Sequence, residues 1–242
     1  MAETVVLLHG FAGTRHAWDL VADRLDPERY RPLALDLRGH GDARDARPIG
    51  FAECVADVAA QAPERFVLCG YSLGGRVALH VALAHPERVS RLVLVAGTAG
   101  IEDPALREER RAADEKLAAE TERGTIEEFA DRWSRQPLFA GTPPLAARVW
   151  RADLLRNDPK ALAAVLRGLG AGTMEPLWDR LPELDGMPVT IIVGERDGRY
   201  AATGRRIAET LPGTRLLLVP GAGHGLPREA PQAVAAAIAT TE

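Results

Sequence analysis

The chain has 242 residues, of which 46% are hydrophobic and 26% charged, as expected for a soluble globular protein of one domain or one domain with an insertion. Its 30 Lys and Arg against 34 Asp and Glu give a formal net charge of −4, which argues against a chain built to bind nucleic acid or an anionic membrane. No apolar run reaches the roughly 18 residues of a membrane span, and the N-terminal segment does not have the pattern of a signal peptide. Cys54 and Cys69 belong to no metal-binding pattern, which predicts two reduced cysteines and a cytoplasmic location.

Short apolar runs recur along the chain and are separated by helical patterns. Because these runs do not alternate with polar residues, they predict strands that are covered on both faces. The predicted strands lie at residues 5–8, 33–35, 66–69, 92–95, 189–193 and 216–219, and the helices between them at 18–25, 51–61 and 76–84. This order predicts an α/β fold with a mostly parallel sheet and helices on both faces.

The spacing of the strands breaks once, between the fourth and the fifth. The intervening stretch predicts helices at 104–123, 126–135, 144–156 and 159–169. We interpret it as a helical cap inserted over the carboxyl ends of the strands, where open α/β sheets bind ligands. The predicted division is a core of residues 1–97 and 187–242 with a cap of residues 98–186.

The motif Gly70-Tyr71-Ser72-Leu73-Gly74 follows the third predicted strand and precedes a helix. A Gly-x-Ser-x-Gly motif in this context indicates the nucleophile elbow of the α/β-hydrolase fold. The turn is too tight for side chains at its two glycines, and it holds the Ser72 hydroxyl above the sheet. The amide of Leu73, at the start of the helix, is then predicted to face an oxyanion.

The first strand ends in His9-Gly10-Phe11, in the loop that supplies the second oxyanion amide of this fold. We assign that amide to Phe11. His9 is predicted to stabilise the turn, and Asp36 and His40, which follow the second strand, are also interpreted as structural.

A serine hydroxyl needs a base, and the base needs an orienting acid. In this fold the chain order is serine, acid, histidine. Among six histidines, only His224 follows both the serine and a late strand. The acid is predicted to be Asp197, at the turn after the preceding strand, with Glu195 as the nearby competitor.

Beyond these motifs, the chain resembles one branch of the α/β-hydrolase superfamily, the 2-succinyl-6-hydroxy-2,4-cyclohexadiene-1-carboxylate synthases of menaquinone biosynthesis. The segments that carry the resemblance are 70–79 (GYSLGGRVAL), 107–114 (REERRAAD), 133–139 (WSRQPLF), 166–172 (LRGLGAG) with 176–178 (PLW), and 194–197 (GERD). The segments from the cap separate this branch from esterases that share only the elbow motif.

The resemblance implies substrate contacts at four positions, namely Tyr71, Arg76, Arg110 and Trp133. Arg76 also has a physical reason to matter, because it lies one helical turn after Ser72, where a guanidinium suits a carboxylate better than an apolar acyl group. The alternative for Arg76 is an ion pair with a protein acid, and the alternative for Trp133 is a place in the apolar core of the cap.

The arginine set of the family is incomplete here. The resemblance implies an arginine near position 154, but this chain has Leu154 there. The sequence leaves open which of Arg111, Arg151 and Arg156 completes an anion site. Residues 98–186 hold 13 Lys and Arg against 17 Asp and Glu, so an anion site has to be a local cluster.

The resemblance implies a lyase that eliminates pyruvate from 2-succinyl-5-enolpyruvyl-6-hydroxy-3-cyclohexene-1-carboxylate, a small polycarboxylate. It implies no metal and no organic cofactor, and we expect no nucleic-acid partner and no membrane insertion. The oligomeric state stays open between a monomer and a small homo-oligomer. One alternative is a carboxylic-ester or C–C-bond hydrolase with Ser72 as covalent nucleophile. The other is a non-enzymatic binder on the same fold, which is disfavoured because all three triad positions are filled.

Overall fold

The computed structural model describes residues 2–240 and contains one six-stranded sheet. The strands are β1 (Glu3–Leu8), β2 (Tyr30–Leu35), β3 (Phe66–Tyr71), β4 (Val89–Val95), β5 (Val189–Gly194) and β6 (Arg215–Val219). Their order is β2-β1-β3-β4-β5-β6, and each neighbouring pair is parallel. The predicted α/β class is therefore confirmed, and each predicted strand lies inside an observed one.

Helices connect the strands and form the cap. They are α1 (Asp19–Ala22), α2 (Phe51–Gln61), α3 (Leu73–Ala84), α4 (Pro104–Arg123), α5 (Ile126–Ser134), α6 (Pro144–Leu154), α7 (Pro159–Leu169), α8 (Gly198–Thr210), α9 (Leu226–Glu229) and α10 (Pro231–Ala239). The continuous helix predicted at 18–25 is wrong. That stretch contains the end of a 3₁₀ turn, Arg15–Trp18, which is capped by the Thr14 side chain, and then only the single turn of α1.

The central strands of the sheet are buried because both faces of the sheet carry helices, whereas the edge strands β2 and β6 are partly exposed. Every residue of β3 and of β5 is buried, as their unbroken apolar sequences predict. The sheet order reverses between β1 and β3, since the chain passes from β1 to β2 on one side and then to β3 on the other. In open α/β sheets, ligands bind outside the carboxyl ends of the strands at such a switch point.

The helices α4 to α7 lie between β4 and β5 and form the predicted cap. Three of them begin at a residue whose side chain accepts hydrogen bonds from the first free amides: Asp103 before α4, Thr125 before α5 and Asp158 before α7. At α5, Glu128 completes a capping box with Thr125. These side chains satisfy amides at the helix starts that have no partner within the helix. The domain limits at 97/98 and 186/187 stay a prediction.

The cap has an apolar cluster of its own that also meets the core. Phe129, Trp150, Leu154 and Leu162 pack together with Ala12 of the loop after β1. The loop after the first strand is thus held between the sheet and the cap. Within residues 2–240, no helix is both long and apolar enough to cross a membrane.

Candidate active site

The turn between β3 and α3 has the geometry of a nucleophile elbow. Ser72 has a φ of 51° and a ψ of −106°, an uncommon conformation for a residue with a side chain. A Cβ on Gly70 would lie 2.2 Å from the carbonyl oxygen of Gly74, and one on Gly74 would lie 2.1 Å from that of Leu8. Only glycine fits at both places, so the backbone itself presents the serine at the carboxyl edge of the sheet.

Three loops bring Ser72, His224 and Asp197 together. His224 Nε2 lies 3.1 Å from Ser72 Oγ, and His224 Nδ1 lies 2.6 Å from Asp197 Oδ2. In the neutral tautomer that these distances favour, Nδ1–H donates to the carboxylate and Nε2 accepts from the hydroxyl. His224 and Asp197 are 2% and 6% exposed, so water does not compete for this hydrogen bond. The arrangement can remove a proton from Ser72 and hold the imidazolium that results.

Glu195, the competing acid, lies elsewhere. Its side chain is exposed, and its Oε2 accepts a hydrogen bond from the amide of Gly221 at 3.0 Å. It therefore supports the turn before His224 and does not contact the imidazole.

The loop after β1 is fixed by hydrogen bonds to its backbone. Ala12, with a φ of 58°, donates its amide to His40 Nε2 at 3.2 Å and accepts from Asn157 Nδ2 at 3.0 Å. His9 Nε2 accepts from the amide of Leu37 at 3.0 Å. Burial lowers the pKa of both histidines, which keeps them neutral and able to accept. His9 and His40 thus have the structural surroundings that were predicted for them.

The two predicted oxyanion amides belong to segments that flank Ser72. Leu73 is the first residue of α3, where helix amides have no partner within the helix. Phe11 lies in the fixed loop after β1, and its ring contacts Trp133 of the cap at 5.1 Å between centroids. Both residues are therefore on the side of the sheet edge where Ser72 is presented. Their role as donors stays a prediction.

A cavity of about 800 Å³ lies between the core and the cap and includes Ser72 in its wall. Arg76 also lines it and is only 8% exposed. Its Nη1 donates to the carbonyl oxygen of Leu169 at 2.8 Å, and no carboxylate among the described residues pairs with it. Burial lowers the pKa of Arg76 to about 10. A buried cation without an anionic partner is unfavourable unless a ligand supplies the charge.

The two predicted cap contacts also line this cavity. Arg110 is half-buried, and its Nε donates to Asp114 Oδ1 at 2.8 Å, so Asp114 neutralises part of its charge. Trp133 packs against the apolar cluster of the cap, which was the alternative for it, and its contact with substrate stays a prediction. It packs against Phe129 in the cap and lines the cavity, and its buried Nε1–H has no hydrogen-bond partner in the described part of the chain.

Tyr71 lies on the other side of Ser72. It is 5% exposed, its ring centroid is 5.4 Å from that of His224, and it lines a second, much smaller cavity of about 30 Å³. Burial raises the pKa of its phenol. Trp133 lines this small cavity as well as the large one, whereas Arg76 and Arg110 line only the large one.

Two further arginines that the sequence analysis did not single out line the large cavity, and which arginine completes an anion site stays open. Of the described residues, Arg199 and Arg206 of α8 line the large cavity, whereas Arg111, Arg151 and Arg156 do not. Arg151 pairs with Asp131 and Arg111 with Glu108 on the surface, and Leu154 is fully buried. Arg206 pairs with Glu102 and stacks on Trp178, while Arg199 is exposed at the cavity wall. The sequence signal that could have identified Arg199 is its place two positions after the predicted acid, Asp197.

Acidic and metal-ligating side chains are scattered in the structure. Within residues 2–240, no group of three or more His, Cys, Asp and Glu side chains is arranged to hold a metal ion.

Comparison with known proteins shows the family to which the chain belongs. The sequence profile of the alpha/beta hydrolase family matches residues 5–237. The chain is 35% identical over 241 residues to a Bacillus subtilis protein provisionally named 2-succinyl-6-hydroxy-2,4-cyclohexadiene-1-carboxylate synthase, covering 96% of this chain and 87% of that protein. It is 34% identical over 239 residues to the synthase of the same name from an Enterobacter species, covering 97% of this chain and 90% of that protein.

A solved structure of MenH from S. aureus superimposes with a TM-score of 0.91 at 28% identity, covering 98% of this chain and 91% of that one. The similarity spans the core and the cap together, since nearly the whole of each chain is matched. The chain belongs to the alpha/beta hydrolase family and, within it, to the 2-succinyl-6-hydroxy-2,4-cyclohexadiene-1-carboxylate synthases.

Proposed function

We propose that this protein eliminates pyruvate from 2-succinyl-5-enolpyruvyl-6-hydroxy-3-cyclohexene-1-carboxylate and forms 2-succinyl-6-hydroxy-2,4-cyclohexadiene-1-carboxylate. The observation that carries the proposal is Arg76. It is a buried guanidinium without a carboxylate partner in the described chain, on the wall of the cavity that contains Ser72. A simple apolar ester offers no negative charge to such a group, whereas a substrate with several carboxylates can pair with it.

Ser72, His224 and Asp197 supply the base in this proposal. Ser72 transfers its proton to His224 Nε2 and takes a ring proton from the substrate, while Asp197 stabilises the imidazolium. The electrons of the broken C2–H bond form the C2=C3 double bond, the C3=C4 pair shifts to C4=C5, and the C5–O bond breaks. The enolpyruvate that leaves takes the proton held by His224 and becomes pyruvate. The amides of Phe11 and Leu73 stabilise the negative charge that builds up on the succinyl carbonyl oxygen.

Substrate recognition then rests on the large cavity. Arg76 binds one carboxylate, Arg110 offers the nitrogens that Asp114 leaves free, and Trp133 contributes its ring to the cavity wall. Tyr71 contacts the substrate from the side of the small cavity. The substrate is thus a small polycarboxylate, and we place the reaction in the cytoplasm.

The test is incubation of the purified protein with the enolpyruvyl substrate. Pyruvate release and the absorbance of the conjugated diene should rise together, in equal amounts. A boiled sample and Ser72→Ala serve as controls. Pyruvate release without the diene, or no turnover at all, would contradict the proposal.

The competing function is hydrolysis, because the same Ser72–His224 geometry suits a covalent nucleophile. A hydrolase would give a pre-steady-state burst of p-nitrophenol from p-nitrophenyl acetate, followed by efficient turnover. For the proposed lyase we expect slow turnover of this ester, because the reaction forms no acyl-enzyme.

A further inference from the structure

Arg196, the residue before Asp197, extends between two loops. Its Nε donates to the carbonyl oxygen of Gly221 at 2.9 Å, in the loop 220–225 that carries His224, which we call the histidine loop. Its Nη1 donates to the carbonyl oxygen of Gly141 at 3.1 Å, in the segment 137–142, which we call the cap loop. Its Nη2 donates to Glu229 Oε2 at 3.0 Å. One side chain therefore ties the cap loop to the histidine loop.

Glu229 completes the connection from the other end. Its carboxylate is 3% exposed and accepts hydrogen bonds from the amides of Gly223 at 2.8 Å and Gly225 at 3.1 Å. These two amides flank His224 in the chain. A buried carboxylate with several donors is well compensated, and it fixes the backbone on both sides of the imidazole.

The surrounding glycines leave room for this pair. A Cβ on Gly141, whose φ is 75°, would lie 2.1 Å from Arg196 Nη1. A Cβ on Gly223 would lie 3.2 Å from both oxygens of Glu229, and one on Gly225 would lie 2.9 Å from its Oε1. The three glycines belong to the two loops that the pair joins, so the backbone of both loops approaches the charged groups closely.

The cap loop also covers the reacting residues. Leu138 and Phe139 line the small cavity together with Ser72 and His224, and the Phe139 ring centroid is 6.0 Å from that of His224. A shift of the cap loop would therefore uncover His224 as well as release Arg196.

We propose that Arg196 and Glu229 are positioning residues that hold the cap loop and the histidine loop in one arrangement. They keep His224 within reach of Ser72 while Leu138 and Phe139 cover it. Neither residue contacts the reacting atoms, and their effect passes through His224. The proposal rests on the proposed function only where turnover is measured, because the reactivity of Ser72 can be measured without the substrate.

The experiment uses the full chain and the variants Arg196→Met, Glu229→Gln and the double variant. Arg205→Met is the matched control, because Arg205 lies exposed on α8 and does not line the cavity. Two readouts are taken well below the melting temperature. One is kcat and KM for the enolpyruvyl substrate, and the other is the rate at which a fluorophosphonate labels Ser72. In the labelling, an Oγ–P bond forms, the P–F bond breaks, fluoride leaves and His224 takes the hydroxyl proton.

We expect each single variant to lower both kcat and the labelling rate about 10- to 100-fold, as a displacement of about 1 Å at a reacting group does. KM should change less than about threefold, and the double variant should be no worse than the poorer single one, because the two residues act as a unit. Arg205→Met should match the wild type. A lower melting temperature with kcat and labelling equal to that control would overturn the proposal and leave a structural role only.

If Arg196→Met does not fold, the variant Arg196→Lys tests the positioning role in its place. A lysine keeps the charge beside Glu229 but cannot also donate to the Gly221 and Gly141 carbonyls. It should fold and label slowly, and labelling at the wild-type rate would refute the proposal. A wild-type protein that reacts with the fluorophosphonate but not with the enolpyruvyl substrate would refute the proposed function alone, and the labelling rates would still decide the role of the pair.

Discussion

The core and the cap hold their candidate site residues by different means. In the core, the backbone fixes Ser72, because Gly70 and Gly74 pack against main-chain atoms with no room for a side chain. In the cap, side-chain partners hold the residues, as Asp114 does for Arg110 and the aromatic cluster does for Trp133. A backbone constraint admits few substitutions, whereas a side-chain pair can be replaced by another pair. We therefore expect fewer tolerated substitutions around Ser72 than around Arg110 and Trp133.

The strongest test of the core side is to remove the triad. We expect Ser72→Ala, His224→Ala and Asp197→Asn each to lower kcat by about 10³-fold or more, with a melting temperature close to that of the wild type. Combining two of them should cost little beyond the worse single change, since the three act as a unit. Steady-state assays and thermal melts check this. An active Asp197→Asn beside an inactive Glu195→Gln would show that the acid is misassigned.

A pair of glycine substitutions tests whether the backbone holds the serine. Gly74→Ala puts a Cβ 2.1 Å from the Leu8 carbonyl oxygen, so we expect it to lower the free energy of unfolding by about 3 kcal/mol or more. Gly198→Ala is the control, because nothing lies within 4 Å of its Cβ position. It should change stability by less than about 1 kcal/mol. Urea denaturation measures the free energy of unfolding of both variants. Equal losses in the two variants would contradict the view that close backbone packing requires glycine at position 74.

Arg76 tests the comparison between core and cap, because it is a proposed substrate-binding residue that lies on a core helix. Arg76→Ala removes a charge-assisted contact of roughly 1.5–3 kcal/mol, so kcat/KM should fall about 10- to 100-fold. Arg76→Lys should recover only part of this, because an ammonium lacks the planar fork. Stability should also fall somewhat, since the bond to the Leu169 carbonyl oxygen is lost. If Arg76→Ala keeps the kcat/KM of an Arg205→Ala control, Arg76 does not bind the substrate.

The neutral histidines under the loop after β1 predict a pH dependence of stability. Burial lowers the folded-state pKa of His9 and His40 below the value near 6.5 of an unfolded chain. Unfolding therefore takes up protons below about pH 6.5, and the free energy of unfolding should fall there by up to about 1.4 kcal/mol per pH unit for each histidine. Above about pH 7 these groups should contribute no slope. Thermal melts between pH 5 and 8 measure it, and a His40→Gln variant with an unchanged slope would contradict the assignment.

Arg199 is expected to give the smallest effect, because it is exposed at the cavity wall. Arg199→Ala should raise KM about two- to fivefold with kcat unchanged, since exposed charge pairs contribute at most about 1 kcal/mol. Added salt should reduce the difference between variant and wild type. An unchanged KM at low salt, equal to that of Arg205→Ala, would exclude Arg199 from substrate binding.

The sequence by itself determined the fold and the family. The central strands were readable because both of their faces are buried, which leaves apolar runs such as those of β3 and β5 without alternation. The cap helices were readable from their helical patterns and from the proline and glycine residues between them. The short helix α1 was misjudged, because Trp18, Val21 and Leu25 are all buried at helical spacing although Trp18 ends a 3₁₀ turn and α1 ends at Ala22.

Only the tertiary structure decided which charged groups meet. Arg76 reaches the Leu169 carbonyl oxygen 93 positions away, and Arg196 reaches Glu229 33 positions away. Nor did the sequence separate Arg199, which lines the cavity, from Arg151, which pairs with Asp131 on the surface. Periodicity and turn residues report the local backbone, because local sterics set it. The partner of a long charged side chain depends on how distant segments pack, and arginines in one helical pattern look alike until that packing is known.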